Sequence, residues 1–88
     1  MVEKRTTIRN VNGLHMRPAT ELVDCASAFA SKITLVKKDL SVDAKSMVGV
    51  MSLAIACGEE IVLAAEGPDE EAALVALERV LEEMREDE

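Results

Sequence analysis

Apolar residues along this chain alternate between strand spacing and helix spacing, and this alternation constrains the fold more than any other feature. Strands are predicted at residues 2–8, 33–36, 40–42 and 60–65. Helices are predicted at residues 16–29, between Ser46 and Gly58, and from residue 70 onward behind Asp69 as N-cap. The resulting order is β-α-β-β-α-β-α, and only the amphipathic helices can cover the apolar face of so small a sheet. The sequence therefore predicts a two-layer α+β fold.

The second face of the sheet is expected to meet water, because Lys32, Thr34 and Lys37 fall among the strand residues. A chain of 88 residues is expected to form one domain, residues 1–88. Phe29 is the only aromatic residue, so the core must consist of aliphatic side chains and methionine.

The cysteines and the first residues bear on the cellular compartment. Cys25 and Cys57 lack CxxC spacing and fall in apolar helical patterns, so both are predicted to be buried free thiols. No apolar run is long enough to cross a membrane, and no secretory signal precedes the first strand. We therefore expect a cytoplasmic protein without membrane insertion.

Charge is distributed unevenly along the chain, whose formal net charge is −7. Residues 1–58 carry eight basic and five acidic side chains, a balance of +3. Residues 59–88 carry two basic and twelve acidic side chains, a balance of −10. This acidic third, together with the lack of aromatic stacking residues, argues against binding to nucleic acid.

The only histidine of the chain precedes the first predicted helix. Gly13 allows a sharp turn into this helix, and Pro18 fits its first turn, where a missing N–H group costs little. His15 would then lie at the helix N-terminus, where backbone N–H groups at Met16 and Arg17 and the Arg17 guanidinium can hold an anion. A nucleophilic imidazole beside an anion site points to phosphoryl chemistry.

A second helix start follows at Ser46, a predicted N-cap. Met47, Val48 and Met51 come next in a helix too short to bury them all, so they are predicted to form an exposed apolar docking surface. The chain has no glycine-rich nucleotide loop and no metal-ligand pattern, so no cofactor is expected. A protein with these features would not take a phosphoryl group from ATP by itself and would act as a relay whose partners supply the catalytic apparatus.

Two motifs of this chain resemble those of the HPr family, the phosphocarriers of the bacterial phosphoenolpyruvate-dependent phosphotransferase system. They are His-Met-Arg-Pro-Ala at residues 15–19 and Lys-Ser-Met-Val-Gly-Val-Met-Ser-Leu at residues 45–53. The resemblance extends over essentially the whole chain and implies an open-faced β-sandwich, a four-stranded antiparallel sheet with three helices on one face. Met16 departs from the small residue that is common after the family's histidine.

The resemblance also implies roles for individual residues. His15 would accept a phosphoryl group on Nδ1 from phosphorylated enzyme I and pass it to enzyme II A components, with Arg17 contacting the group. Ser46 would be a regulatory site for HPr kinase/phosphorylase, and its motif favours the carbon branch of the system. The chain would act as a stoichiometric carrier and not as an enzyme, with a monomer as the default state.

Two other interpretations remain open on the sequence. The chain could be a regulatory module of the same fold that mainly binds a kinase or a transcription factor. It could also be a small α+β domain with a structural histidine. The presence of both His15 and Arg17 favours the carrier over the first alternative, and the two coincident motifs disfavour the second.

Overall fold

A computed structural model describes residues 1–9 and 13–86 of the chain. Its elements are β1 (Val2–Thr7), α1 (Met16–Ser27), β2 (Lys32–Lys37), β3 (Leu40–Asp43), α2 (Met47–Ser52), β4 (Glu60–Glu66) and α3 (Glu70–Glu86). The predicted order β-α-β-β-α-β-α is confirmed.

The four strands form one antiparallel sheet in the order β1-β4-β2-β3. Within the sheet, Leu35 of β2 pairs with Leu63 of β4, and Ile61 of β4 pairs with Thr6 of β1. Side chains alternate between the two faces, and the residues Ile33, Leu35, Ile61 and Leu63 are buried. This apolar face lies under the helices, as the open-faced sandwich requires.

The core is aliphatic, as predicted. Helix α1 contributes Ala19, Leu22 and Ala26, and helix α3 contributes Ala73, Leu77 and Leu81. Phe29 is only partly buried and packs against the edge of this core. Small alanines on α1 and α3 let these two helices pack closely against each other, and α3 also packs against β1 and β4.

Helix α2 is shorter than predicted, and the interpretation of Gly58 as its stop is wrong. The helix ends at Ser52, and Ala54 has a φ of 48°, which turns the chain out of the helical direction. Leu53 and Ile55 are nevertheless buried, because the chain after the helix places them in the core without helical spacing. Gly58 lies in the turn before β4 with a φ of 90°. Similarly, α1 ends at Ser27 and not at residue 29.

Two other sequence predictions are corrected by the structure. Lys37 was expected on the open face, but it follows Ile33 and Leu35 by strand alternation and lies on the covered face, where its ammonium group donates to backbone carbonyls. Cys57 was expected to be buried in a helix, but it is exposed in the turn after α2. Cys25 is partly buried on α1, and this burial raises the pKa of its thiol.

Asp69 occupies the predicted N-cap position of α3, and its carbonyl accepts from Ala73 N at 2.9 Å. Its carboxylate, however, reaches across to the segment after α1. Oδ2 accepts from Ala30 N at 2.9 Å, and Oδ1 accepts from Ser31 N at 2.9 Å and from the Ser31 hydroxyl. These bonds lower the pKa of Asp69, with the Ser31 hydroxyl contributing most.

None of the helices in the described part of the chain is both long enough and apolar enough to cross a membrane.

Candidate functional site

His15 occupies the N-cap position of α1, with extended backbone angles of φ −80° and ψ −170°. Its carbonyl accepts from Ala19 N at 3.0 Å and so closes the first turn. The residue is exposed, and its imidazole does not cap the helix. The predicted location is therefore confirmed: the ring lies at the positive end of a helix of 12 residues, with Pro18 in the first turn.

Gly13 and Leu14 fix the chain immediately before His15. Gly13 has a φ of 68°, a conformation that favours glycine. A Cβ atom at this position would lie 2.3 Å from the Ile55 carbonyl oxygen and 2.8 Å from Ala56 Cα, so the backbone approaches the chain after α2 too closely for any side chain. Leu14 is buried, and its N–H donates to the same Ile55 carbonyl at 2.9 Å. The exposed imidazole is thus carried on an anchored backbone.

Arg17 lies in the first turn of α1, two residues after His15, and its side chain is 76% exposed. Its Nε atom lies 4.0 Å from Glu21 Oε1, one turn further along the same helix. Such an exposed pair is weak, so the guanidinium can turn toward an anion at the helix N-terminus at little cost. Met16, the first residue of α1, is 68% exposed.

Ser46 is the N-cap of α2, as predicted: its Oγ accepts from Gly49 N at 3.1 Å. Helices α1 and α2 pack against each other. At this contact the Thr20 hydroxyl lies 3.9 Å from Met47 Sδ and donates to the Met16 carbonyl at 2.8 Å. The structure therefore places the helix that begins after His15 beside the helix that begins after Ser46.

The three residues predicted as a docking surface differ in exposure. We call Met47, Val48 and Met51 the docking patch. Val48 is 82% exposed and Met51 is 38% exposed, whereas Met47 is half-buried and packs against the core. Two of the three side chains are therefore available at the surface of α2, and the third joins α2 to α1.

One element of the site was missed by sequence reasoning. Lys37 Nζ lies 3.0 Å from Glu59 Oε1, and both side chains contact the chain that follows α2, to which Leu14 is bonded. A charged residue at the covered-face position of β2 was the available signal, since burial of an unpaired lysine is costly. Glu59 could not be identified as its partner, because it lies 22 residues further along the chain.

Within residues 1–9 and 13–86, no group of three or more His, Cys, Asp or Glu side chains could hold a metal ion. The chemistry that the described residues offer at this site is that of an exposed imidazole beside a guanidinium and a helix N-terminus.

Comparisons with known proteins agree with this geometry. The family model described as "PTS HPr component phosphorylation site" matches residues 2–83. The chain is 49% identical over 88 residues to the phosphocarrier protein HPr of Treponema pallidum (strain Nichols), with complete coverage of both chains. It is 41% identical over 83 residues to the HPr-like protein Crh of Bacillus subtilis (strain 168), covering 94% of this chain and 98% of the relative.

A solved structure supports the same comparison. The crystal structure of HPr-C-His from Thermoanaerobacter tengcongensis superimposes with a TM-score of 0.95 at 43% sequence identity. The match covers 100% of this chain and 99% of that one.

Proposed function

Because the chain belongs to the HPr family of phosphotransferase phosphocarriers, we propose that His15 accepts a phosphoryl group from phosphorylated enzyme I and passes it to enzyme II A components. The observation that carries the proposal is the exposed imidazole of His15 at the N-terminus of α1. Donor and acceptor are both proteins, so the reacting nitrogen must be reachable from outside, and an exposed N-cap position meets that need.

The residues around His15 suit each stage of the transfer. A neutral imidazole nitrogen attacks phosphorus, forming an N–P bond while the bond from phosphorus to the donor breaks. The phosphoryl oxygens then lie near the backbone N–H groups at Met16 and Arg17, where the helix dipole favours negative charge. The Arg17 guanidinium can add two parallel hydrogen bonds. Onward transfer reverses these steps toward a second protein, so the chain acts as a stoichiometric carrier in the cytoplasm.

The docking patch would supply the apolar contact that brings the partner's reactive group to His15. Val48 and Met51 are exposed, and flexible methionine side chains adapt to several partners. A monomer is sufficient for this role, since all the residues invoked belong to one chain.

Phosphorylation of His15 can be tested with enzyme I and phosphoenolpyruvate. The wild type is expected to gain about 80 Da, the mass of one phosphoryl group, in an acid-labile form. His15→Ala should gain nothing, and Arg17→Ala should be phosphorylated more slowly. Arg79→Ala is the matched control, because it removes an exposed arginine from α3 instead. No mass gain in the wild type, or an equal gain in His15→Ala, would refute the proposal.

Ser46 is proposed as the regulatory site, with HPr kinase/phosphorylase as the modifying partner. A phosphate on its Oγ would be tolerated at the N-terminus of α2, yet it would place negative charge beside the apolar docking patch. Ser46→Asp is therefore expected to slow phosphorylation of His15 by enzyme I. Ser41→Asp, which adds the same charge to exposed β3, should react at the wild-type rate. Equal rates for Ser46→Asp and the wild type would exclude this regulation.

A second candidate function is regulation by binding alone. It is favoured by the 41% identity to the HPr-like protein Crh of Bacillus subtilis, which is described as a catabolite repression HPr. In that case the docking patch and Ser46 would be the functional surface, and His15 would not carry a phosphoryl group. The mass measurement separates the two candidates, because only the carrier requires phosphorylation of His15.

A further inference from the structure

The segment between α2 and β4 is hydrogen-bonded at two points to the segment that leads to His15. We call residues 53–59 the bracket loop. At one point, Ile8 N donates to the Glu59 carbonyl at 2.9 Å and Gly58 N donates to the Ile8 carbonyl at 2.7 Å. At the other, Leu14 N donates to the Ile55 carbonyl at 2.9 Å. The second point is one residue from His15, so a shift of the Ile55 carbonyl would shift the histidine.

Two charged side chains hold the bracket loop from within. Lys37 Nζ donates to the Leu53 carbonyl at 2.8 Å and to the Ala54 carbonyl at 3.1 Å. Glu59 Oε1 accepts from Ala56 N at 2.7 Å and lies 3.0 Å from Lys37 Nζ. The side chains of Lys37 and Glu59 are only 15% and 27% exposed. This ion pair is thus shielded from water, unlike the exposed pair of Arg17 with Glu21.

The contacts of this pair fall on both sides of Ile55. Lys37 bonds the carbonyl of Ala54, and Glu59 bonds the N–H group of Ala56. Ala54 has a φ of 48°, a conformation that a non-glycine residue keeps only where neighbouring contacts enforce it. The Ala56 N–H group and the Ile55 carbonyl belong to the same planar trans peptide group and point in opposite directions. Because Glu59 holds this N–H group from one side, the Ile55 carbonyl points to the other side, toward Leu14.

We propose that Lys37 and Glu59 are positioning residues for His15, acting through the bracket loop and the Ile55–Leu14 hydrogen bond. The inference rests on the proposed phosphoryl transfer, to which it adds the residues that hold the acceptor in place. Neither side chain is required to touch the phosphoryl group. Their loss would let the Leu14–His15 segment move relative to the N-terminus of α1, so the imidazole would occupy its reactive position in a smaller fraction of the complexes with the donor.

The position of this segment can be measured in the unphosphorylated full chain by NMR. Lys37→Met and Glu59→Gln each remove one charge at nearly constant size. Loss of the support for one hydrogen bond is expected to speed hydrogen exchange of the Leu14 amide by about three- to tenfold and to shift the His15 ring signals. The matched controls are Lys32→Met, on the opposite face of β2, and Glu60→Gln, one residue after Glu59; they remove the same charges outside the pair. They should leave the Leu14 exchange rate and the ring signals unchanged.

The kinetic consequence is tested with enzyme I, for which the chain is a substrate. Both variants are expected to lower kcat for phosphorylation of the chain by about three- to tenfold while KM stays near the wild-type value. A purely structural ion pair would lower the unfolding temperature and leave the ring signals and kcat unchanged, and this result would overturn the proposal. A raised KM with unchanged kcat would overturn it as well, since it would place Lys37 and Glu59 in the partner interface.

The phosphoryl transfer and the positioning role of Lys37 and Glu59 can be refuted separately. If the wild type accepts no phosphoryl group, the proposed function is wrong. Leu14 exchange still decides whether Lys37 and Glu59 position this segment. If the wild type is phosphorylated and both variants match it in Leu14 exchange and kcat, the function stands and the positioning role is refuted.

Discussion

At the scale of single residues, the site depends on Gly13, where the backbone approaches the chain after α2 too closely to leave room for a Cβ atom. The positive φ and the close approach to Ile55 and Ala56 both require glycine. The sequence allowed the prediction that Gly13 turns the chain into α1. It did not reveal the close approach, because that contact depends on a loop more than 40 residues away. The conformation of the chain at Gly13 was therefore predictable from the sequence, whereas the residues that pack against it were not.

Gly13→Ala is expected to destabilise the protein by about 2 kcal/mol or more, since the left-handed conformation costs about 1–2 kcal/mol for a residue with a side chain and the new Cβ atom also collides with backbone. Gly58→Ala is the matched control, because Gly58 has a φ of 90° but no atom within 4 Å of the added Cβ. Urea denaturation of both variants measures the difference. Equal losses of stability would mean that the close approach at Gly13 contributes nothing.

At the scale of elements, the start of α3 is fastened to the chain after α1 by Asp69 and Ser31. The predicted start of α3 is correct. The carboxylate of Asp69, however, binds the chain after α1, and capping rules that consider one helix alone cannot predict a partner in another segment. The same limit explains the misplaced end of α2. Gly58 resembled a C-terminal stop, while the actual end is set by tertiary contacts, among them Lys37 with the Leu53 carbonyl.

Asp69 should make stability depend on pH in the acid range. Its pKa lies below the usual 3.8 in the folded protein, because the Ser31 hydroxyl and the N–H groups of Ala30 and Ser31 favour the carboxylate. Such a group stabilises the fold above the unfolded-state pKa, and the contribution is lost as pH falls through the folded-state value. Below about pH 4, the urea midpoint of the wild type is therefore expected to fall more steeply with decreasing pH than that of Asp69→Asn.

Asp24→Asn serves as the control for this measurement, since Asp24 is exposed on α1. It should reproduce the pH profile of the wild type. Parallel profiles for the wild type and Asp69→Asn would show that the Asp69 carboxylate does not stabilise the fold in the way described. Glu59 and Glu70 also have lowered pKa values through bonds to backbone N–H groups, so part of the acid dependence should persist in Asp69→Asn.

At the scale of the whole molecule, the fold follows from the pattern of apolar residues, and the order of all seven elements was predictable from it. The covered face of the sheet was also predictable, except at Lys37, where a charged residue takes an inward position because backbone carbonyls and Glu59 are there to receive it. The exposed position of Cys57 was missed for a related reason: apolar neighbours suggested a helix where the chain instead forms a loop.

The surface that meets partners should lie on α2 and not on α3. Val48 and Val75 are both exposed valines, one in each helix, at 82% and 58%. Val48→Glu is expected to change the free energy of unfolding by no more than about 0.5 kcal/mol while raising KM for phosphorylation by enzyme I about tenfold. Val75→Glu should leave KM unchanged, and steady-state kinetics with both variants provide the test. Equal KM values would remove Val48 from the interface.

The most direct test of the carrier account is whether the phosphoryl group leaves again. The chain is labelled on His15 with enzyme I and radioactive phosphoenolpyruvate, purified, and mixed with an enzyme II A component alone. We predict that the label moves to the second protein and that His15 returns to its unphosphorylated mass. If the label instead stays on His15 until the phosphohistidine hydrolyses, the account is contradicted. Phosphorylation of His15 would then serve regulation and not transfer.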